Sequence, residues 1–397
     1  MWDSIGSVAI DVILVAVLIG ALLFGYGRGL LRIAGGLAGM VLGAIAAFIL
    51  LPFLATWAPL GPWRVTASIA AGILLIAIGY TVGVAITNII RRPLHKTPLR
   101  VIDRLLGAVA NTVVTLVVIS LLAFSSSALG IPALTQTVAS STVLRTLDDL
   151  TPPPVSSLLA QLRSAILNDG LPRILDAVGV PSEAPEIPGL AIDQRTLETA
   201  AESVVRITGN APACGTGRVG SGFVIAEDRI ITNAHVLAAV TELVVEAPGE
   251  LPRPGRIVYF DPVDDLAVIS VDGLPAPPLE PSPNPSPGSD AAFLGYPYGG
   301  PFSAQAAEVL AVGPTLMGDI YGANPQPRQV TTLAANVQHG NSGGPLLMPD
   351  GTVGGVIFAK SEGTANVGYA LGMDEVLPVI AQAPSLEAPV PSGSCTP

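Results

Sequence analysis

The fold of this chain is decided by the stretch His339-Gly340-Asn341-Ser342-Gly343-Gly344-Pro345. Glycines on both sides of a single serine allow a tight backbone turn, which holds the serine hydroxyl outward and aims successive N–H groups at one point. An acyl-transfer nucleophile needs this geometry. A serine hydroxyl becomes reactive when an imidazole accepts its proton and a carboxylate orients that imidazole. The stretch therefore predicts a partner histidine and a partner aspartate elsewhere in the chain.

Two other runs supply these partners. The chain has 3 histidines, and His235 follows the apolar run 230–234, which is typical of a short strand entering a turn. Asp265 precedes the apolar run 266–269, the start of another strand. We predict that Ser342 attacks a peptide carbonyl, that His235 accepts the hydroxyl proton, and that Asp265 orients the imidazole.

The carboxyl-terminal half is rich in short β-type runs bounded by Gly, Pro and Asp, which is typical of a sandwich or of barrels. Asp261 and Asp264, between two of these runs, are interpreted as solvated turn residues. The runs are 204–208, 222–226, 229–232, 243–246, 256–260, 266–271, 291–294, 307–312, 330–334, 353–359 and 367–371.

Four motifs, in chain order, are similar to those of trypsin-like serine proteases of the HtrA-related kind. They are Gly220-Ser221-Gly222-Phe223-Val224-Ile225, Thr232-Asn233-Ala234-His235-Val236, Asp265-Leu266-Ala267 and Gly340-Asn341-Ser342-Gly343-Gly344-Pro345. Together with the apolar amino-terminal region, they make the whole chain resemble the membrane-anchored acid-resistance serine proteases of actinobacteria. The resemblance implies an all-β, chymotrypsin-like double barrel with the active site in the cleft between two six-stranded barrels. It implies neither a cofactor nor a metal ion.

The resemblance also assigns roles around the nucleophile. The backbone N–H groups of Gly340 and Ser342 are the expected oxyanion-hole donors. Asn336 matches the base of the specificity pocket, where a neutral amide argues against strong selection for Lys or Arg. The strand expected to wall this pocket carries Phe358, Ala359 and Lys360. These residues favour substrates with medium or apolar side chains.

Charge divides the chain into two parts. Residues 1–127 carry 8 Lys and Arg against 3 Asp and Glu, whereas the remainder carries 11 against 27. The mean hydropathy of +0.60 is far above that of a soluble enzyme. The acidic half gives no reason to expect nucleic-acid binding. A membrane protein with an acidic soluble domain fits both observations.

Four apolar runs near the amino terminus are each long enough to cross ~30 Å of hydrocarbon. They are 5–25, 29–54, 65–90 and 105–124. Because no positive charge precedes the first run and more runs follow it, we predict an all-α domain with four transmembrane helices rather than a cleaved signal peptide. This block, residues 1–127, resembles the CvpA-type membrane domain.

The basic residues orient these spans. The first and third connections contain most of the arginines, whereas the middle connection is flanked by Arg64 alone. By the positive-inside rule, the first and third connections are cytoplasmic. We therefore predict that both termini and the protease domain lie outside the cytoplasm, in the periplasm or extracytoplasmic space.

Two polar or small-residue features inside the spans allow alternative interpretations. Asp11, taken as the lone acid within a span, marks a polar pathway, a helix–helix contact or a side chain that reaches the headgroups at the outer end of the first span. Small residues on the second span favour close helix packing over a pore. They are Gly35, Gly36, Gly39 and Gly43.

Residues 128–195 are predicted to form a Pro- and Ser-rich linker. Within it an amphipathic helix is expected, with apolar residues at Leu158, Leu159, Leu162, Ile166 and Leu167, and a second short helix at 173–178. The Pro-rich flanks 152–154 and 181–188 are candidate sites of self-cleavage.

Residues 196–397 are predicted to form the protease domain. Only about 55 residues follow Ser342, enough for the last strands and a closing helix at 373–382, so no PDZ domain is expected. The 2 cysteines, Cys214 and Cys395, both lie in this domain. They form either a disulfide bond in an oxidising compartment or two free thiols. The family resemblance favours the bond.

These patterns together predict a multi-pass membrane serine endopeptidase that cleaves exported proteins of the cell envelope. The resemblance adds a role in acid or envelope stress. A further rival, a catalytically inactive barrel used as a binding module, is disfavoured by the intact set of triad motifs. The alternative is a membrane transporter or assembly scaffold with a regulatory protease-like domain, either active or inactive. The sparse charge within the spans argues against the alternative.

Overall fold

The computed structural model describes residues 2–57, 63–94, 99–128, 141–151, 155, 172–174 and 177–396. The chain divides into two compact units, Val8–Leu122 and a second unit of Met1–Ser7 with Ala123–Pro397. The predicted domain limits at 127 and 195 stay predictions.

Four long helices make up the amino-terminal part. They are α1 (Trp2–Arg28), α2 (Leu30–Trp57), α3 (Trp63–Leu94) and α4 (Leu99–Ala128). Each contains a segment long and apolar enough to cross a membrane, and these segments are Val8–Arg28, Leu30–Leu50, Ala70–Ile90 and Leu99–Ser120. The prediction of a multi-pass membrane protein with four apolar helices is confirmed.

Helices α2 and α3 approach each other through glycines. A Cβ added to Gly39 would overlap the backbone of Gly79, and one added to Gly43 would lie 2.6 Å from the carbonyl oxygen of Leu75. Such contacts allow two backbones to approach closely. The predicted close packing along the small residues of α2 is confirmed.

A second acid lies within the apolar helices. Asp103, on α4, is buried, and its Oδ1 accepts a hydrogen bond from the backbone N of Leu31 at 3.0 Å. Because Leu31 is in the first turn of α2, the carboxylate satisfies one of the free N–H groups of that helix. The prediction that Asp11 is the lone acid within a span is therefore wrong. The fourth helix begins earlier than the predicted apolar run.

The linker contains a described helix that was not predicted, α5 (Thr142–Leu150), whose start is capped by the hydroxyl of Ser141. The amphipathic helix predicted around 158–167 lies outside the described residues. The second predicted helix, at 173–178, is wrong. Arg173–Ile174 forms a short strand, β1, and Val178 and Gly179 form a turn.

The first barrel follows a short helix, α6 (Gln194–Ala201), and is closed by six strands in the order β2-β3-β4-β7-β6-β5. One turn of helix, α7 (Ala234–Leu237), connects β4 to β5. The strands are β2 (Val204–Ala211), β3 (Thr216–Ala226), β4 (Arg229–Thr232), β5 (Glu242–Glu246), β6 (Arg253–Asp261) and β7 (Leu266–Ser270).

The second barrel is built from the remaining strands. They are β8 (Asp290–Gly295), β9 (Ser303–Met317), β10 (Gln326–Ala334), β11 (Pro345–Leu347), β12 (Val353–Ser361) and β13 (Val367–Leu371). The sheet order is β1-β12-β11-β8-β9-β10-β13, and a further pairing of β12 with β13 closes a ring of six strands. The predicted double barrel is confirmed, as is the closing helix, α8 (Met373–Gln382).

Strand β1 pairs in parallel with the last residues of β12, Lys360 and Ser361, which extend beyond the part of β12 that β11 covers. The backbone N of Lys360 donates to the carbonyl of Pro172, and the N of Glu362 donates to that of Ile174, at 3.2 and 3.1 Å. This pairing satisfies backbone groups at the end of β12 that a helix at 173–178 would leave unpaired. This tertiary contact explains why the predicted helix does not form.

Adjacent residues of one strand serve different apolar cores. On β2, Val205 and Ile207 point into the first barrel, whereas Val204 joins a cluster that contains Phe358 and Tyr369 of the second barrel. The alternation follows the two-residue period of a strand. The barrels therefore pack on each other through a shared apolar layer.

The carboxyl-terminal tail crosses back to the first barrel. Cys214 and Cys395 are joined by a disulfide bond, with 5.7 Å between their Cα atoms, which confirms the predicted pairing. Val390 N donates to the carbonyl of Ile257 at 2.8 Å, so the tail also pairs with β6 before it reaches the bond.

Candidate active site

The structure brings His235 and Asp265 into direct contact. His235 lies in the single turn of α7, and Asp265 lies just before β7. Both are buried, with 6% of the surface of His235 and 3% of that of Asp265 exposed. Nδ1 of His235 lies 2.7 Å from Oδ2 of Asp265, and the backbone N of His235 donates to Oδ1 at 2.9 Å. Because both carboxylate oxygens contact the same residue, the ring is held in one orientation and Nε2 is left for chemistry.

Asn233 adds a second link between the same two segments. Its side-chain Nδ2 donates to the backbone carbonyl of Asp265 at 2.9 Å. Asp265 has a positive φ of 55°, a conformation that Asp tolerates better than most residues. The sequence motif contained Asn233, but its side-chain role was not predicted.

The sequence analysis interprets the two acids near Asp265 as solvated turn residues, and the structure shows that they are more than that. Asp261 and Asp264 are both half-buried, and Asp261 accepts a hydrogen bond from Val263 N at 2.8 Å. Burial, together with the charges of Asp261 and Glu375, raises the pKa of Asp264. Among the described residues, no group of three or more His, Cys, Asp or Glu side chains could hold a metal ion.

Arg328, on β10 of the second barrel, balances these acids. Its side chain is buried, and Nη2 donates to the carbonyl of Gly318 at 2.6 Å. Burial lowers the pKa of Arg328, whereas the charges of nearby carboxylates, Asp265 foremost, oppose that shift. An isolated arginine in a strand carries no sequence motif, so this residue was missed.

The nucleophile turn is shaped by two glycines with positive φ. Gly340 has φ 91° and Gly343 has φ 84°, and a Cβ on Gly343 would overlap the carbonyl oxygen of Ser221. Ser342 lies between them and is 1% exposed. Its hydroxyl makes no hydrogen bond to any of the described residues. The structure therefore pairs His235 with Asp265 but does not pair either with Ser342.

The peptide groups of this turn are held so that two N–H groups stay available. The carbonyl of His339 accepts from Tyr298 N at 2.6 Å, and the carbonyl of Asn341 accepts from Gly344 N at 3.0 Å. In a trans peptide the N–H points away from the C=O, so the N–H groups of Gly340 and Ser342 point the other way. Within the described ranges, neither of these two N–H groups has a hydrogen-bond partner.

Gly220 on β3 lies between the two halves of the site. A Cβ at Gly220 would lie 2.6 Å from Cγ1 of Val236 and 3.2 Å from the carbonyl oxygen of Ser342. Val236 follows His235 directly. The nucleophile turn of the second barrel and the histidine-bearing turn of the first barrel therefore contact the same glycine.

The predicted specificity-pocket residues differ in exposure. Asn336 is exposed, Lys360 is half-buried, and Phe358 and Ala359 are buried. Phe358 belongs to the apolar layer between the barrels, so it contributes its backbone rather than its side chain to any open pocket at this strand. The pocket assignment stays a prediction.

Comparisons with known families follow the same division of the chain. Residues 10–152 match the colicin V production protein family, and residues 220–356 match the trypsin-like peptidase domain family. The chain is 32% identical to the serine protease Rv3671c of Mycobacterium tuberculosis strain H37Rv over 394 residues, which cover 97% of this chain and 98% of the relative.

Two more relatives match the protease part. A probable periplasmic DegP-like serine endoprotease of Halomonas elongata is 35% identical over 170 residues, covering 41% of this chain and 35% of the relative. The crystal structure of the M. tuberculosis Rv3671c protease in its active form is similar with a TM-score of 0.50 and 35% identity, covering 56% of this chain and all of that one. Both likenesses concern the double barrel.

Proposed function

The chain belongs to the family of membrane-anchored serine proteases that includes Rv3671c (MarP), and from this premise we propose that Ser342, His235 and Asp265 form its catalytic triad. The observation that carries the proposal is the two-point contact of His235 with the carboxylate of Asp265, beside a turn with two N–H donors that have no partner in the described part of the chain. Its substrates are exported proteins of the cell envelope.

The geometry supports one order of events. Nδ1–H of His235 donates to Asp265, which leaves Nε2 as the base. Nε2 accepts the hydroxyl proton of Ser342 while Ser342 Oγ attacks the peptide carbonyl. The N–H groups of Gly340 and Ser342 stabilise the negative oxygen. The imidazolium then protonates the leaving amine, and water releases the acyl group by the reverse sequence. Since Ser342 Oγ makes no hydrogen bond to any of the described residues, no competing contact has to be broken.

The decisive experiment compares labelling by a fluorophosphonate probe in detergent-solubilised wild-type chain and in Ser342→Ala. We expect Ser342→Ala to abolish labelling and peptide cleavage, and Ser203→Ala to preserve both, because the buried hydroxyl of Ser203 has no partner among the described residues. Labelling of Ser342→Ala at the wild-type level would exclude Ser342 as the nucleophile. Loss of labelling with an intact cellular phenotype would favour the alternative, a membrane transporter or scaffold.

The proposed location is the outer side of the cell membrane, with both termini outside. The arginine-rich first and third connections, the disulfide bond, and the periplasmic assignment in the name of the Halomonas relative support this topology. Reporter fusions after residues 62, 96 and 397 test it. Periplasm-type signal at 62 and 397 with cytoplasm-type signal at 96 is expected, and the inverse pattern would contradict it.

A role in acid or envelope stress completes the proposal, together with self-cleavage in the linker. The stress role is supported by the motif resemblance.

Self-cleavage is proposed in the linker segment 181–188. Residues 182–184 have exposed side chains, and the segment lies on the second barrel through hydrogen bonds from Thr364 to Pro181 O and from Asn366 to Pro185 O. Immunoblots of cells at neutral and acid pH should show a shorter form in wild type and not in Ser342→Ala. A single full-length form in both would exclude self-cleavage.

A further inference from the structure

Ser221, on β3 of the first barrel, uses every polar atom it has. Its hydroxyl accepts from Tyr296 N at 2.9 Å and donates to the carbonyl of Gly340 at 2.7 Å. Its backbone N donates to the carbonyl of Ser342 at 2.8 Å, and its carbonyl accepts from the hydroxyl of Thr232 at 2.7 Å. The side chain is fully buried. One serine of the first barrel thus holds the nucleophile turn of the second barrel at two points.

The hydroxyl closes a small ring of hydrogen bonds. From Ser221 Oγ the ring passes to Tyr296 N, along the chain to Tyr298 N, across to the carbonyl of His339, and back through the carbonyl of Gly340. The His339–Gly340 peptide is one member of this ring. Its N–H is the proposed oxyanion donor, so the ring determines the direction in which that donor points.

The direction of the Gly340 N–H is easily changed, because the backbone at Gly340 is flexible. Its φ of 91° is accessible to glycine without strain, and glycine can also adopt other conformations. The carbonyl of Gly340 itself accepts from Ser221 Oγ, and the carbonyl of His339 accepts from Tyr298 N. Removing the Ser221 hydroxyl would release one of these two restraints and leave two buried backbone groups unpaired.

We propose that Ser221 is a positioning residue of the protease: its hydroxyl keeps the Gly340 N–H aimed at the oxyanion from across the barrel interface. This inference rests on the proposed function. Ser221 touches no reacting atom and acts through Gly340. Its contribution is therefore made when charge develops on the carbonyl oxygen, rather than when substrate binds.

The test uses the full chain in detergent and a fluorogenic peptide that the wild-type chain cleaves. For Ser221→Ala we expect kcat to fall about 10- to 100-fold with KM within about twofold, since loss of one complete oxyanion donor costs about 10²- to 10³-fold. Ser203→Ala is the matched control, a fully buried serine whose hydroxyl has no partner among the described residues, and it should keep wild-type kinetics.

An aldehyde of the same peptide separates positioning from a general structural effect. His235 takes up the hydroxyl proton as Ser342 Oγ adds to the aldehyde carbon and opens its C=O double bond. The former aldehyde oxygen then occupies the oxyanion site, whereas the corresponding peptide alcohol forms no such bond. Ser221→Ala should weaken inhibition by the aldehyde by the factor seen in kcat and leave inhibition by the alcohol unchanged. The pH midpoint of kcat/KM should not move, because the His235–Asp265 contact is intact.

Wild-type kcat and wild-type aldehyde inhibition in Ser221→Ala would overturn the inference. So would an equal loss of aldehyde and alcohol inhibition, which indicates a distorted cleft that binds the peptide less well, and so would a lowered kcat with wild-type aldehyde inhibition, which indicates an inactive fraction of the protein. If Ser221→Ala does not fold, Ser221→Cys decides, because its thiol is a weaker hydrogen-bonding group: a lowered kcat at unchanged KM supports positioning, and wild-type kcat contradicts it. Full activity of Ser342→Ala would instead refute the proposed function, whatever Ser221 does.

Discussion

The two halves of the candidate site are held together by different kinds of contact. In the first barrel, side-chain hydrogen bonds hold the site, since Asp265 contacts His235 at two points and Asn233 donates to the backbone carbonyl of Asp265. In the second barrel, the turn around Ser342 depends on glycine conformations and on hydrogen bonds between backbone groups. The first half is therefore sensitive to side-chain chemistry, and the second half is sensitive to backbone shape.

The largest expected effect lies in the first half. Asp265→Asn keeps the size of the side chain but removes the charge that orients His235, so we expect kcat to fall by about 10⁴-fold, as loss of the triad aspartate does in other serine proteases. Steady-state kinetics of the full chain measure this. A fall of less than about tenfold would show that Asp265 is not the orienting carboxylate.

Gly343→Ala tests the second half through backbone shape alone. Its Cβ would overlap Ser221 O and Thr232 Oγ1 at a φ of 84°, so we expect a loss of about 2–5 kcal/mol in the free energy of unfolding and loss of probe labelling. Gly363→Ala is the control, because a Cβ there meets nothing within 4 Å. Equal stability of the two variants in urea unfolding would contradict the role of this glycine.

Asn233→Ala tests whether the second link in the first half matters for catalysis. Loss of its bond to Asp265 O should lower kcat about tenfold and stability by about 1–2 kcal/mol. Asn284→Ala provides a control of similar stability cost, because the Oδ1 of Asn284 accepts from Met373 N at the start of α8. If both variants lose stability but keep wild-type kcat, Asn233 is purely structural.

The smallest effect concerns pH. Burial and the charges of Asp261 and Glu375 raise the pKa of Asp264 above 3.8, so its favourable contribution is present below its unfolded pKa and is lost as pH rises through the folded pKa. Asp264→Asn should therefore raise the melting temperature at pH 7, and the gain should vanish below about pH 4. The measurement is thermal unfolding across pH 3–8.

Asp350→Asn should show the opposite sign. Hydrogen bonds from the Thr352 hydroxyl and backbone N lower the pKa of Asp350, so its contribution is present above its unfolded pKa and is lost as pH falls through the folded pKa. This variant should be less stable than wild type at pH 7 and equal to it in strong acid. The same sign for both variants would contradict the assigned pKa directions.

The sequence predicted those features that depend on a short stretch of chain. The tight turn at Ser342, the strand end at His235 and the start of the next strand at Asp265 each have a local composition that few other structures would require. The limits of β4, β13 and α8 were predicted to the residue. The three-residue strand β11 was missed, because it lies inside the glycine-rich region and is too short to show an alternating pattern.

Contacts between distant segments were not predictable in the same way. Ser221 stands in a recognised motif, but its bonds to Tyr296 and Gly340 depend on how the barrels meet. Arg328 carries no motif at all, and its relation to Asp265 follows from the packing of β10. The strand at Arg173–Ile174 forms because the end of β12 extends beyond β11 and leaves backbone groups open to pairing, which no local pattern reveals.

The amino-acid sequence by itself determined the four apolar helices, the succession of short strands and the residue types of the candidate triad, because hydropathy, strand spacing and turn chemistry are local properties. The double barrel and the bond between Cys214 and Cys395 were predicted with the help of the family resemblance. Only the tertiary structure decided that Asp265 grips His235 at two points, that Asp103 caps α2, and that Ser221 holds the nucleophile turn. These depend on distances between segments far apart in the chain, which are set by packing.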